Sequence, residues 1–174
     1  MITDSLVNFI PLSTPLAITT GDIPSTNVID LLGTGVGTAP QNIIGNRTVF
    51  GMDVGIGGVR PQLVVLVTTG FTTSNAATLN IEFQAAIDNG SYHPGSWVTL
   101  VETGAIAVAN LAAIGTKAAR FDFPPAFPSS LQPRFLRLLF SVTNTFTAGA
   151  VLAPVTMVRD DTANRYQPAN YSVA

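Results

Sequence analysis

The sequence has few charged side chains. Lysine and arginine together number 8, aspartate and glutamate number 10, and only 10% of the 174 residues are therefore charged, against roughly 25% in an ordinary soluble domain. A compact protein of 18.2 kDa exposes on the order of 8,000 Å². Its charges are thus spaced at about one per 450 Å², where an average protein has about one per 190 Å². We therefore expect other protein to cover much of this surface.

Cysteine is absent, which excludes disulfides, thiolate metal sites and a cysteine nucleophile and leaves the redox compartment open. A clustered basic face is also missing, because the eight basic residues are scattered from Arg47 to Arg165 and the net charge is -2. A nucleic-acid binder needs such a face to contact phosphates. The sequence therefore predicts no nucleic-acid partner.

Long apolar runs are missing too, although the mean hydropathy is +0.40. A membrane-spanning helix needs about 18 to 20 nearly uninterrupted apolar residues, whereas the longest candidate, residues 105–114, is shorter and contains Asn110. The first residues include Asp4, no basic residue and an apolar stretch broken by Asn8 and Pro11, unlike a secretory signal. We therefore expect no membrane partner.

The sequence is instead rich in glycine, proline and residues that alternate as in β-strands. The clearest predicted strand is 78–87, whose odd-numbered residues are apolar and whose even-numbered residues are mostly polar. Other predicted strands span 16–20, 48–54, 62–68, 97–101, 105–109, 119–123, 134–143 and 150–158. Short strands between turn-rich loops are typical of a jelly-roll antiparallel β-sandwich, here of about eight strands. For the alanine-rich stretch 105–115, a strand and a short helix remain open.

The predicted organisation is a single jelly-roll domain over residues 1–174. Residues 1–22 are expected to form an N-terminal arm and residues 160–174 a C-terminal extension, because neither has the apolar periodicity that buries a core. The expected core residues lie on the apolar faces of three strands: Leu63, Val65, Val67, Leu79, Ile81, Phe83, Leu136, Leu138, Phe140 and Val142.

No pattern of residues predicts catalysis. The glycines that follow Leu32 lack the third glycine of a dinucleotide fingerprint, since Thr38 stands there and Pro40 follows where a helix would start. His93, the only histidine, lies in a turn, and no nucleophile elbow accompanies it. The two glutamates, Glu82 and Glu102, occupy strand positions where solvated glutamates are common, and residues 160–164 do not supply the ligands of a calcium loop. We expect no catalytic, cofactor-binding or metal-ligating residue and no enzyme.

The stretch 133–142 has two apolar faces. One carries core residues, and the other presents Phe135, Arg137 and Leu139. An aromatic residue beside an arginine is enriched at interface hot spots, so this second face either meets a protein partner or is buried within the chain. On the first alternative, Arg137 pairs with a carboxylate or carbonyl of an adjacent subunit, because a buried guanidinium needs a partner.

The C-terminal tail carries the remaining candidate interface residues, Tyr166, Pro168 and Tyr171. Their apolar area has little predicted structure to bury it. An arm that becomes ordered on a neighbouring subunit would bury this area on binding. The alternative is that the tail folds back on its own sandwich.

Several segments taken in order resemble the capsid cement proteins of tailed bacteriophages, the group typified by the cement protein of the Bordetella podophage. They are residues 25–31 (STNVIDL), 62–69 (QLVVLVTT), 77–84 (ATLNIEFQ), 134–138 (RFLRL), 146–151 (FTAGAV) and 164–173 (NRYQPANYSV). The chain departs from that pattern by a longer glycine-rich segment, residues 33–58.

The resemblance implies a non-enzymatic jelly-roll protein, made in the bacterial cytoplasm, that sits on the capsid exterior of the virion. It implies binding to the major capsid protein, stabilisation of contacts between capsid subunits, and association into a homodimer or higher homo-oligomer on the shell. The alternative from another class is a carbohydrate-binding jelly-roll module of a phage tail or surface protein. Several exposed aromatics would favour that alternative, but the chain has one tryptophan and three tyrosines.

Overall fold

The computed structural model describes residues 2–3, 8–31, 61–91, 93–123 and 133–157. The glycine-rich segment 33–58, the predicted strand 48–54 and the C-terminal extension lie outside these residues. In the described part of the chain, eleven strands form an entirely antiparallel fold. Their bounds are β1 Ile2–Thr3, β2 Leu16–Ala17, β3 Thr20–Pro24, β4 Ile29–Asp30, β5 Gln62–Thr73, β6 Thr78–Asp88, β7 Pro94–Glu102, β8 Ile106–Ala107, β9 Lys117–Asp122, β10 Phe135–Leu152 and β11 Val155–Met157.

The strands make two sheets that share β10, the longest strand at 18 residues. In the front sheet, the first half of β10 lies between β3 and β4 on one side and β6 on the other, and β6 in turn pairs with β7 and β8. In the back sheet, the second half of β10 lies between β2 and β5, and β5 also pairs with β9 and β11. The prediction of an all-β sandwich of jelly-roll type is confirmed.

A bend in β10 lets one strand serve both sheets. Asn144 adopts a left-handed backbone with φ 67°, and the pairing with β3 shifts register between Val142 and Thr145. The Asn144 side-chain Nδ2 donates to the carbonyl of Asn75 at 3.0 Å, which holds the bend against the β5–β6 turn. The sequence predicted two separate strands here, 134–143 and 150–158. The structure differs because the chain stays paired through the bend.

The core lies between the sheets. Of the ten predicted core residues, nine are fully buried and Val142 is partly buried against them. Phe83 of the front sheet is at the centre of an aromatic group, with its ring centroid 5.5 Å from that of Phe9, 6.0 Å from Phe121 and 6.4 Å from Phe123. These contacts connect the two sheets through apolar burial, which is the main favourable term in folding.

The N-terminal segment differs from the predicted arm. Phe9, Ile10 and Ile18 are fully buried, and backbone hydrogen bonds join Phe9 to Ala153 at 3.2 Å and Ile18 to Gly149 at 3.0 Å. The described part of residues 1–22 thus belongs to the sandwich. Its strands are too short for alternation to be recognised, because pairing with β10 decides which side chains face inward.

The ambiguous stretch 105–115 contains both kinds of structure that the sequence left open. Ile106 and Ala107 form strand β8, and residues Val108–Asn110 form one turn of 3-10 helix. Leu111 then inserts into the core with no exposed surface. In the described part of the chain, no helix is long and apolar enough to cross a membrane.

Candidate functional site

The predicted interface residues of β10 lie on the outer face of the front sheet, opposite the core side. Along β10 the core-facing Leu136 and Leu138 alternate with Phe135, Arg137 and Leu139, as a strand requires. Cross-strand pairing places Gln84 beside Arg137. It places Glu82 of β6 and Pro24 of β3 on either side of Leu139.

Arg137 is held by two groups of its own chain. Its guanidinium carbon lies 4.1 Å from the centroid of the Trp97 ring, and its Nε donates to Gln84 Oε1 at 2.8 Å. Burial lowers the pKa of Arg137 from its ordinary value, and the charge of nearby Glu82 acts in the opposite direction. Among the described residues, neither terminal amino group of Arg137 donates a hydrogen bond or forms an ion pair.

A hydrogen-bond network fixes the side chain of Gln84, which is itself buried. Gln84 Nε2 donates to Glu82 Oε2 at 3.0 Å and to Thr99 Oγ1 at 3.2 Å. Thr99 Oγ1 donates to the same carboxylate oxygen at 2.7 Å, and Ser141 Oγ donates to Glu82 Oε1 at 3.3 Å. Connected polar networks of this kind hold side chains in single positions. The Gln84 oxygen that accepts from Arg137 is therefore held in one position.

Phe135 is covered by its neighbour in sequence. The guanidinium of Arg134 lies 5.0 Å from the Phe135 ring centroid and binds Asp30 of β4 through Nε and Nη2, each at 2.8 Å. Its Nη1 also binds Asp88 at the end of β6. The hydrogen bond to Asp30 is the main cause of a raised Arg134 pKa. Phe135 is buried as a result, so of the three predicted residues only Arg137 and Leu139 reach the surface.

The β7 edge of the front sheet presents exposed apolar side chains. Within the described residues β7 pairs with β6 alone. Val98 and Val101 of β7 lie beside the core-facing Ala85 and Phe83 in the register, yet they are 46% and 39% exposed. Ile87 at the end of β6 is exposed as well. We call Ile87, Val98 and Val101 the edge strip.

The side chains considered for catalysis lie on different parts of the described structure, and residues 160–164 fall outside it. His93 is exposed in a turn, where its carbonyl accepts from the Asn89 N–H at 2.9 Å. Glu82 and Glu102 are register partners on β6 and β7, and Glu102 accepts a hydrogen bond from Asn80. No group of three or more potential metal ligands occurs in the part of the chain that the structure describes.

Sequence reasoning placed Arg137 correctly on the outer face but missed the residues around it. Trp97 and Gln84 belong to other strands, and Arg134, Asp30 and Asp88 come from three separate segments. The alternation in β6 and β7 assigns Gln84 and Trp97 to one face, but the register that joins them to Arg137 has no local signal. Tyr166, Pro168 and Tyr171 lie outside the described residues.

A family model matches most of the length of the chain. The model of the family Bbp16 matches residues 12–155, a span that includes nine of the eleven described strands in full, β2 to β10. The chain belongs to the Bbp16 family. This membership confirms the phage family that the ordered segments resemble. No curated protein matches the sequence.

Proposed function

We propose that this chain is a non-enzymatic structural protein of a phage virion, which binds the outer surface of the capsid and stabilises contacts between major capsid subunits. The observation that carries the proposal is the edge strip together with the scarcity of charge. Val98 and Val101 are exposed on β7, which pairs with β6 alone among the described residues, and Ile87 is exposed at the end of β6. Exposed apolar side chains of this kind mark surfaces that bind other protein. Membership of the Bbp16 family supports a phage setting.

The rigid sandwich suits such a role. A protein that joins shell subunits has to resist the forces between them, and here both sheets share one long strand and one aromatic core. The proposed location is the exterior of the capsid, after synthesis in the host cytoplasm. The proposed partner is the major capsid protein.

We also propose that two copies associate on the shell through the β7 edges. Antiparallel pairing of two β7 strands centred on Val98 would place each Glu102 opposite Pro94 of the other copy, so the glutamates would stay far apart. Parallel pairing in register would bring the two Glu102 carboxylates together, which is unfavourable. Such pairing would satisfy edge backbone groups and cover the two valines.

The alternative of a carbohydrate-binding module would depend on Trp97, the only tryptophan. Sugar rings stack on open aromatic faces, and the guanidinium of Arg137 lies 4.1 Å from this ring. The geometry therefore favours the structural role over sugar binding.

Sedimentation of purified virions tests the proposal. The chain should travel with the capsid after tails have been removed, and particles made without it should lose DNA at a lower temperature than complete particles. Recovery of the chain wholly in the soluble fraction, or with the detached tails, would contradict it. Binding of an antibody raised against the chain to intact virions is a second measurement, since a protein on the capsid exterior must be accessible in the intact particle.

A further inference from the structure

Two arginines at the start of β10 differ in their partners. Arg134 binds two carboxylates of its own chain, Asp30 and Asp88. Arg137 follows three residues later, on the outer face of the front sheet, and has an amide oxygen and an aromatic ring for partners. The charge of Glu82 acts on the pKa of Arg137. The Glu82 carboxylate, however, accepts its hydrogen bonds from Gln84, Thr99 and Ser141.

We propose that Trp97 and Arg137 form a binding site for a carboxylate side chain of the shell protein. The proposal rests on the proposed function, because the shell subunit is the partner. Gln84 uses the Nε of Arg137, which leaves two terminal amino groups for a ligand. A planar guanidinium with two parallel N–H donors matches a carboxylate, which accepts both bonds at once.

Preorganisation makes this site suited to binding. The Trp97 ring fixes the plane of the guanidinium from one side, and the network behind Gln84 fixes its Nε. Little side-chain entropy then remains to be lost when the carboxylate arrives. The half-buried Leu139 beside Arg137 provides apolar surface that excludes water around the ion pair. The lowered pKa of Arg137 is consistent with a cation that has already lost part of its hydration.

The charges around Arg137 favour one carboxylate over a polyanion. Glu82 and Glu102 lie on the same face of the sheet, and Asp22 lies on β3 next to Ser141 in the register. A nucleic acid or a polyphosphate would bring further negative charge against these groups. A single carboxylate brings one negative charge, and the two terminal amino groups of Arg137 can both donate to it.

The test measures binding of the purified full-length chain to phage shells that were assembled without it. Wild type, Arg137→Gln, Arg137→Lys and Trp97→Leu are compared, with Arg120→Gln as the matched control. Arg120 is an exposed arginine on β9 of the back sheet, so its loss changes the net charge equally. Removing one member of a desolvated charge pair should weaken binding by about 30-fold or more in Arg137→Gln.

The other variants separate the effect of the charge at position 137 from the effect of the paired guanidinium donors. Arg137→Lys keeps the charge but loses the paired donors, so binding should fall about tenfold, and Trp97→Leu should weaken binding while the charge remains. Arg120→Gln should bind as wild type does. Thermal unfolding of each variant shows whether it is folded, and Arg137→Lys keeps the test usable if Arg137→Gln does not fold.

Shells whose surface carboxylates have been converted to amides identify the ligand. Amidation should weaken wild type to the level of Arg137→Gln and leave Arg137→Gln itself unaffected. Equal binding of Arg137→Gln and wild type to untreated shells would overturn the inference and leave the proposed function standing. Additive effects of amidation and mutation, or displacement of wild type by duplex DNA, would overturn it too. Failure of wild type to bind any shell would instead contradict the proposed function.

Discussion

At the scale of single residues, the partners of Arg134 and Arg137 determine which side chains are exposed on the outer face of the front sheet. The sequence predicts that Phe135, Arg137 and Leu139 share a face, because alternation along a strand is a local property. It does not predict that Arg134 covers Phe135, since Asp30 and Asp88 are distant in sequence and meet Arg134 only through folding. Side-chain partners across strands follow from register, for which the sequence has no local signal.

Replacement of Arg134 by glutamine is expected to lower the melting temperature. The change removes ion pairs with Asp30 and Asp88 and exposes the Phe135 ring. Because the pKa of Arg134 is raised, its contribution is complete below the ordinary pKa of an arginine and is lost only as the pH rises through the higher pKa of the folded state. The difference from wild type should therefore be equal at about pH 7 and about pH 9. Differential scanning calorimetry measures it, and an unchanged melting temperature would refute the role assigned to Arg134.

Gly149 is a position where a side chain does not fit. A Cβ there would overlap the Phe71 ring, and its backbone has φ 153°. Gly149→Ala should therefore destabilise the fold by about 3 kcal/mol through strain and overpacking, or about 6 to 12 °C in melting temperature. Gly104→Ala is the control, because Gly104 has φ 70° but open space around it. It should cost only about 1 kcal/mol, and equal losses in the two variants would contradict the packing argument.

At the scale of elements, β10 shows where sequence periodicity stops being informative. Its two halves have clear apolar faces, which is why both were predicted as strands. The join between them has no simple alternation, because the strand passes from the front sheet to the back sheet and changes the side it presents to the core. The register shifts after Val142 and between Phe146 and Val151 record this change.

The bend in β10 can be tested at Asn144. Asn144→Ala puts a Cβ-bearing residue without a local hydrogen bond into the left-handed conformation and removes the bond to Asn75. It should cost about 1 to 2 kcal/mol. Asn144→Gly removes the same hydrogen bond but relieves the backbone strain, so its cost should be smaller. Urea unfolding of both variants provides the values, and a glycine variant less stable than the alanine variant would contradict this account of the bend.

The N-terminal segment illustrates a second limit of sequence reasoning. Strands β1 and β2 contain two residues each, which is too short for alternation to be detected. Phe9, Ile10 and Ile18 are buried because backbone pairing sets Phe9 and Ile10 against Ala153 and Ile18 against Gly149, and because the Phe9 ring packs against Phe83 and Phe123. Short apolar stretches interrupted by Asn8, Pro11 and Pro15 do not predict such a position.

At the scale of the whole molecule, the sandwich was predictable because apolar faces of several strands can be buried only by stacking two sheets. Nine of the ten predicted core residues are fully buried for that reason. The edge strip was not predictable, since Val98 and Val101 lie in register with core-facing residues of β6 but are exposed where β7, among the described strands, has β6 as its one partner. A surface of this kind depends on the order of strands in the sheet.

The C-terminal tail allows a separate test at this scale. Deletion of residues 167–174, which include Pro168 and Tyr171, should weaken binding to shells and leave the melting temperature of the isolated protein nearly unchanged. The expectation follows from aromatic area that gains burial on a neighbour. A large fall in melting temperature with intact binding would show that the tail stabilises its own sandwich.

A density map of the virion would show the proposed location of the chain. We expect a jelly-roll sandwich on the outer surface of the capsid, in contact with at least two major capsid subunits, with the face that carries Arg137 or the edge strip buried in those contacts. Cryo-electron microscopy of intact particles measures this at a resolution that shows strands. A shell whose outer surface lacks such density, or a sandwich found only in the tail, would contradict the account.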